Sequence, residues 1–153
     1  LVFSTLHTND AAGAITRLLE IGVEDYLLSA SLIGIMAQRL VRILCDHCKQ
    51  GSKPDETVLK RYGLDSLGME MDKTFKPVGC ERCAYTGYRA RTAIFELMVI
   101  NDAIREMILK NRSAVAIRNE GIQHGITLLR NDGWHKVARG ITSIQEVLRV
   151  TGQ

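Results

Sequence analysis

Apolar and polar positions alternate along the 153 residues with a period that changes several times. Four of the first six residues are apolar (Leu1, Val2, Phe3, Leu6). A run this continuous predicts a strand over Leu1–Leu6, of the kind covered on both faces in a parallel sheet. The polar loop His7-Thr8-Asn9-Asp10 follows at once. Asp10 is placed to cap a helix over 11–21, where Ala11, Ile15, Leu18 and Leu19 share one face and Gly22 supplies the stop. A second apolar helix is predicted over 24–33, ended by Gly34. From Met36 to Leu44 the pattern turns strand-like, with Arg39 and Arg42 interrupting an apolar run. Residues 49–79 are the least hydrophobic stretch and predict a small inserted module with one short helix near 55–62. The run 91–100 returns as a strand.

From Asn101 onward the period is helical throughout. Asp102 is read as the cap of the first of four helices, with Ile104, Met107 and Ile108 on its inner face. Ser113 caps the second, which Gly125 ends; Thr127 opens the third, which Gly140 closes. Ser143-x-x-Glu146 before Val147, Leu148 and Val150 is a capping-box pattern that starts the last helix. Strand, loop and helix followed by a helical tail make the fold class α/β.

Composition narrows the function more than the fold. Hydrophobic residues make up 46% and charged residues 24%, which is ordinary globular usage. A net charge of +3, with no run of five like charges, is too weak to argue for nucleic acid, and none is expected as a partner. The first residues lack the basic region and cleavage site of a signal peptide, so the expected compartment is cytoplasmic. There, four cysteines point to metal or redox chemistry rather than structural disulfides.

The cysteines form two pairs, Cys45-Asp-His-Cys48 and Cys80-Glu-Arg-Cys83. Two intervening residues turn both thiolates of a pair to one side of a tight turn, and two such knuckles complete a tetrahedron around Zn²⁺. Redox dithiols and ordinary disulfides are the alternatives, but neither pair opens a helix after a strand in a thioredoxin-like unit. His47, inside the first knuckle, is a substitute ligand or a solvated side chain. Four protein ligands leave a zinc ion no open position, so the expected metal is structural and contributes to folding.

His7 follows a predicted strand and precedes a helix N-terminus, where α/β sheets place ligands and where anions are favoured. Thr5, His7, Thr8 and Asn9 are therefore placed to approach a phosphate or its attacking water; the alternative is a polar loop with a satisfied histidine. The chain holds no G-x-x-x-x-G-K-[ST] cradle. Arg39 and Arg42 either face a neighbouring subunit or nucleotide, or belong to a salt-bridged strand face.

The segments STLHTNDA, AQRLVRILCDHC, GCERCAYTGYRARTAIFELM and LRNDGWHKVARGITSIQEVLRVT occur in the order seen in secretion and pilus-assembly ATPases, and the chain resembles that family over nearly its whole length. The resemblance implies the C-terminal part of a RecA-like P-loop ATPase domain (1–44), an inserted four-cysteine zinc module (45–90) and a mainly helical C-terminal domain (91–153). It implies that His7 reaches the γ-phosphate region as the catalytic residue, with Thr5, Thr8 and Asn9 binding nucleotide, and that Cys45, Cys48, Cys80 and Cys83 hold zinc. The full-length protein would be a homohexamer that uses ATP and Mg²⁺ to drive an inner-membrane secretion or pilus platform in a bacterium, bound peripherally at that membrane. The Walker A and Walker B segments lie upstream in the family, so this chain alone is expected to be inactive. TGYRARTAIFELM and GITSIQEVLRVT look closer to type II secretion than to pilus extension. The chain departs from the family in one place: Ala90 stands where a glycine is usual, which predicts a local cost if the backbone there requires glycine's freedom. The competing class is a non-enzymatic zinc-ribbon module that binds nucleic acid or a protein.

Overall fold

Asp10 and Gly22 bracket the first helix as their chemistry requires. In the computed structural model, which describes residues 1–54, 56–62 and 73–152, α1 spans Ala11–Glu20, and the Asp10 carboxylate accepts the Gly13 N–H at 2.7 Å. Gly22 takes the left-handed φ of +94° that stops the helix. The elements that follow are α2 (Asp25–Ser31), β1 (Gly34–Leu44), β2 (Gln50–Ser52), α3 (Glu56–Arg61), β3 (Thr74–Lys76) and β4 (Tyr88–Val99). The tail carries α4 (Asp102–Leu109), α5 (Ala114–Gln123), α6 (Leu129–Ala138) and α7 (Ile144–Thr151). Strands pair in two ribbons, β1 with β4 and, antiparallel, β2 with β3 in the register Gln50–Lys76, Gly51–Phe75 and Ser52–Thr74. The result is a small α/β structure with a helical tail. No helix among the described residues is long and apolar enough to cross a membrane.

Several expectations need correction. Residues 1–8 form neither strand nor helix, and Leu1, Val2 and Phe3 are 93%, 89% and 88% exposed. The segment has the composition of a buried strand, but a strand exists only where a neighbour takes up its N–H and C=O groups. The second helix stops at Ser31, because Leu32 is already extended and the Ile33 carbonyl accepts the Ile100 N–H at 3.0 Å. The cap of α4 is Asn101, whose side chain accepts the Ile104 N–H at 2.9 Å, and Asp102 is the first helical residue. The third tail helix begins at Leu129, two residues beyond Thr127. At α7 only half of the capping box forms: Ser143 Oγ accepts the Glu146 N–H at 3.2 Å, while the Glu146 carboxylate turns elsewhere.

The chain divides into two compact units, Leu1–Gln38 with Phe95–Leu129 and Arg39–Ile94 with Arg130–Gln153. The core of the first is Ala11, Ala12 and Ile15 of α1, Leu28 of α2, Met98 and Ile100 at the end of β4, and Ile104, Ile108 and Ile117 from α4 and α5. Each such large side chain contributes about 1.5–3 kcal/mol on burial. Along β4 the alternation is reversed in polarity at one point. Glu96 is buried with Met98, whereas Phe95, Leu97 and Val99 are exposed. The second unit packs Trp134, Val137 and Val147 with Leu59, Tyr62 and Leu148. A Cβ on Gly133 would come within 2.7 Å of Val147, so glycine is what brings α6 close to α7.

Candidate metal centre and the loop before α1

β1 ends at Leu44 and delivers Cys45 directly into the first knuckle, where the Cys45 N–H donates to the Gly87 carbonyl at 2.9 Å. The Cys48 and Lys49 N–H groups fold back onto the Cys45 carbonyl at 3.2 and 2.8 Å, which brings both thiols to one side. The second knuckle is a 3₁₀ turn over Glu81–Cys83. It is followed by Ala84 and Tyr85, both left-handed at φ +48° and +59°. Gly79 and Gly87 flank it at φ +109° and +76°. A Cβ at Gly79 would lie 2.6 Å from the Tyr85 carbonyl oxygen, so the knuckle closes only around glycine there.

These turns gather the four thiols of Cys45, Cys48, Cys80 and Cys83, with every pair of sulfurs within 4.8 Å. Sγ–Sγ separations are 4.0 Å for Cys45–Cys80, 3.8 Å for Cys48–Cys83 and 3.8 Å for Cys80–Cys83. A tetrahedron with Zn–S bonds of about 2.3 Å has edges of about 3.8 Å, so the thiols fit zinc. They are far too widely spaced for a disulfide, whose sulfurs lie about 2.05 Å apart, and all four cysteines are free. Backbone N–H groups point at the sulfurs: Gly79 at Cys48 (3.3 Å), Cys80 at Cys83 (3.2 Å) and Gly87 at Cys83 (3.3 Å). Burial opposes ionisation, yet at Cys83 the Cys80 and Gly87 N–H donors, together with hydrogen bonds from the Cys48 and Cys80 thiols, outweigh it and bring the thiol down to about 6. At Cys48 burial prevails and the thiol rises to about 11. A metal ion at the centre of the cluster would supply the positive charge that holds all four as thiolates. His47 is not part of the cluster; it is exposed, and its ring lies 2.9 Å from the Arg82 guanidinium.

Next to the knuckles, Arg42 proves to be a structural cation. Its guanidinium meets the Glu146 carboxylate at 2.7 Å, its backbone N–H donates to the same carboxylate at 3.0 Å, and it stacks 4.1 Å from the Tyr88 ring centroid. Arg149 completes the arrangement on Glu146 at 2.7 Å. Burial pushes the Glu146 carboxyl up, but Arg149 and then Arg42 more than offset it and hold it at about 2. The sequence pattern marks Glu146 as a capping residue and misses this role, because both of the groups it draws from Arg42 are 104 residues away.

Thr5, His7, Thr8 and Asn9 lie on the approach to the N-terminus of α1. Thr5, His7 and Asn9 are exposed, and the Thr8 hydroxyl donates to the Asp10 carbonyl at 3.2 Å. The loop is held at its far end. Asp10 is paired with Arg118 of α5 and accepts from Gly13. The Ala11 N–H donates to Glu96 at 3.0 Å. Glu96 was not singled out from sequence; its only signal is a lone carboxylate inside the largely apolar run 91–100.

The sequence profile of the family described as Type II/IV secretion system protein matches residues 1–149. The chain belongs to that family. It is 50% identical over 151 residues to a type IV pilus assembly ATPase PilB of Thermus thermophilus, covering 99% of this chain and 17% of the relative. It is 44% identical over 151 residues to the type II secretion system ATPase E of Vibrio cholerae, covering 99% of the chain and 29% of the relative. Type II secretion system protein E of Aeromonas hydrophila is 47% identical over 154 residues, with 99% and 30% covered. The chain thus spans between 17% and 30% of the length of these relatives, and they come from both secretion and pilus systems.

Proposed function

We propose that this chain is the zinc-bearing C-terminal portion of a hexameric ATP-driven motor subunit, which powers assembly of a pseudopilus or pilus for protein secretion. The observation that carries the reading is end-to-end similarity to secretion and pilus ATPases in a chain whose four cysteines form a metal-sized cluster. In the motor, residues 1–44 complete the RecA-like ATPase domain, 45–90 form the zinc module and 91–153 the helical C-terminal domain. The exposed apolar residues of Leu1–Leu6 and of β4 (Phe95, Leu97, Val99) support a larger sheet that continues beyond this chain.

His7 is then the group that meets the γ-phosphate or its attacking water, with Thr5, Thr8 and Asn9 beside it. Phosphoryl transfer also requires a phosphate cradle and Mg²⁺ ligands. The chain's sequence carries no Walker A loop, so those groups come from the rest of the subunit. The partners are further copies of the subunit and platform proteins of the bacterial inner membrane, on its cytoplasmic side. Type II secretion is the favoured system.

Phosphate release from ATP tests this reading. The full-length subunit turns over, His7→Ala lowers its kcat by tenfold or more, as the loss of a positioned catalytic group does, and the 153-residue chain alone shows no turnover above a protein-free blank. Turnover by the chain alone, or an unchanged kcat in the His7 variant, contradicts it.

A further inference from the structure

Glu96 occupies a costly position. It sits on β4 with its side chain turned inward, 3% exposed, on the side of the strand that also buries Met98. A buried carboxylate persists only where donors replace the water it has lost. Here the donors are two backbone groups, the Ala11 N–H at 3.0 Å and the Leu129 N–H at 3.2 Å. These are the first residues of α1 and α6, the ends at which helices leave N–H groups unpaired and carry positive partial charge. An apolar residue at this place would suit the surrounding core but would leave both helix starts unsatisfied. A glutamine has one carbonyl oxygen and serves only one of them.

The α1 end is where the consequence for chemistry lies. Asp10 already caps α1 through Gly13, so Glu96 is not needed merely to supply a cap. What it adds is direction. Ala11 is tied to β4 through Glu96, and Asp10 is tied to α5 through Arg118. Thr8 is bonded to the Asp10 carbonyl. Two rigid elements thus grip consecutive residues at the base of the loop that carries His7.

We propose that Glu96 is a positioning residue for the His7 loop, with Arg118 as the second anchor. This rests on the reading of His7 as the phosphate-facing group. A reacting group displaced by about 1 Å loses up to about 100-fold in rate. Loosening the base of the loop therefore lowers turnover without removing any group that touches nucleotide.

The test is a double-mutant cycle on the full-length subunit with Glu96→Gln, His7→Ala and the pair, read as kcat and KM for ATP. Amide hydrogen exchange of the peptide covering residues 5–13 is measured alongside. Glu96→Gln is expected to lower kcat about tenfold with KM within about twofold. Added to His7→Ala, it is expected to cost less than about twofold more, since both act through one group. Exchange across 5–13 speeds up. Arg118→Met, at a half-exposed side chain that does not threaten the fold, is expected to give a smaller loss of the same non-additive kind. An unchanged kcat in Glu96→Gln, or losses that multiply in the double variant, overturns the proposal. If His7→Ala alone leaves kcat intact, the phosphate-facing reading fails. The exchange measurement then judges the anchor by itself: faster exchange upholds it and unchanged exchange refutes it.

Discussion

Glu146→Gln is the perturbation whose size the structure allows to be worked out. The carboxylate is fully buried, accepts the backbone N–H of Arg42, and is flanked by the guanidinium groups of Arg42 and Arg149. Its fall from 4.5 to about 2 corresponds to about 3 kcal/mol at ~1.4 kcal/mol per tenfold change in proton affinity. Glutamine keeps the shape but presents an amide to donors that need an acceptor. Arg42 and Arg149 are 40% and 57% exposed, so water recovers part of their loss, and the net destabilisation at pH 7 is about 2 kcal/mol. For a chain of this length that lowers Tm by about 4–8 °C. The sign of the pH dependence follows from a depressed carboxylate. Its contribution is complete above 4.5 and is lost as pH falls toward the folded value of about 2. The gap between wild type and variant should therefore shrink to less than half by about pH 3 and close near pH 2. Urea unfolding of both proteins at pH 7 and pH 3 measures it. The difference is the quantity to read, because acid conditions affect the rest of the molecule alike in both proteins. A gap equal at the two pH values, or one below ~0.5 kcal/mol at pH 7, would refute the reasoning.

Ala90→Gly should stabilise the chain. Ala90 sits at φ +66° within β4, a conformation that costs a non-glycine residue about 1–2 kcal/mol, of which glycine's greater unfolded-state freedom returns part. A gain of ~0.5–1 kcal/mol in urea unfolding is expected, and a loss would show that the alanine is unstrained. Gly87→Ala should do the reverse. It combines φ +76° with a Cβ 2.4 Å from the Pro77 Cβ, next to the N–H that serves Cys83. Destabilisation by ~2–4 kcal/mol and faster metal loss to a chelator are expected, and a wild-type chelation rate would contradict the role assigned to that N–H.

What could be read from the sequence was what depends on neighbours a few residues away. The Asp10, Ser113 and Ser143 caps and the left-handed stops at Gly22 and Gly140 are local chemistry. So are the two cysteine knuckles, whose spacing sets the direction of the thiols within a turn. The glycine that the family resemblance leads one to expect at position 90 flagged a left-handed backbone, which Ala90 adopts. Glu96 and Glu146 were beyond such reading, since Glu96 meets Ala11 and Leu129 at separations of 85 and 33 residues. Glu146 looked like half of a capping box because its i–3 partner is a serine. Its carboxylate found stronger donors across the fold. Leu1–Leu6 failed for the opposite reason: its composition describes a strand, but pairing is a property of two segments, and among the described residues no second one pairs with it.

The central claim, that Cys45, Cys48, Cys80 and Cys83 form a closed structural zinc site, is tested most directly by metal analysis of the purified chain combined with thiol titration. One equivalent of zinc per chain, released in step with modification of the four cysteines, is the predicted result. A metal-free folded chain with four freely reactive thiols would contradict it.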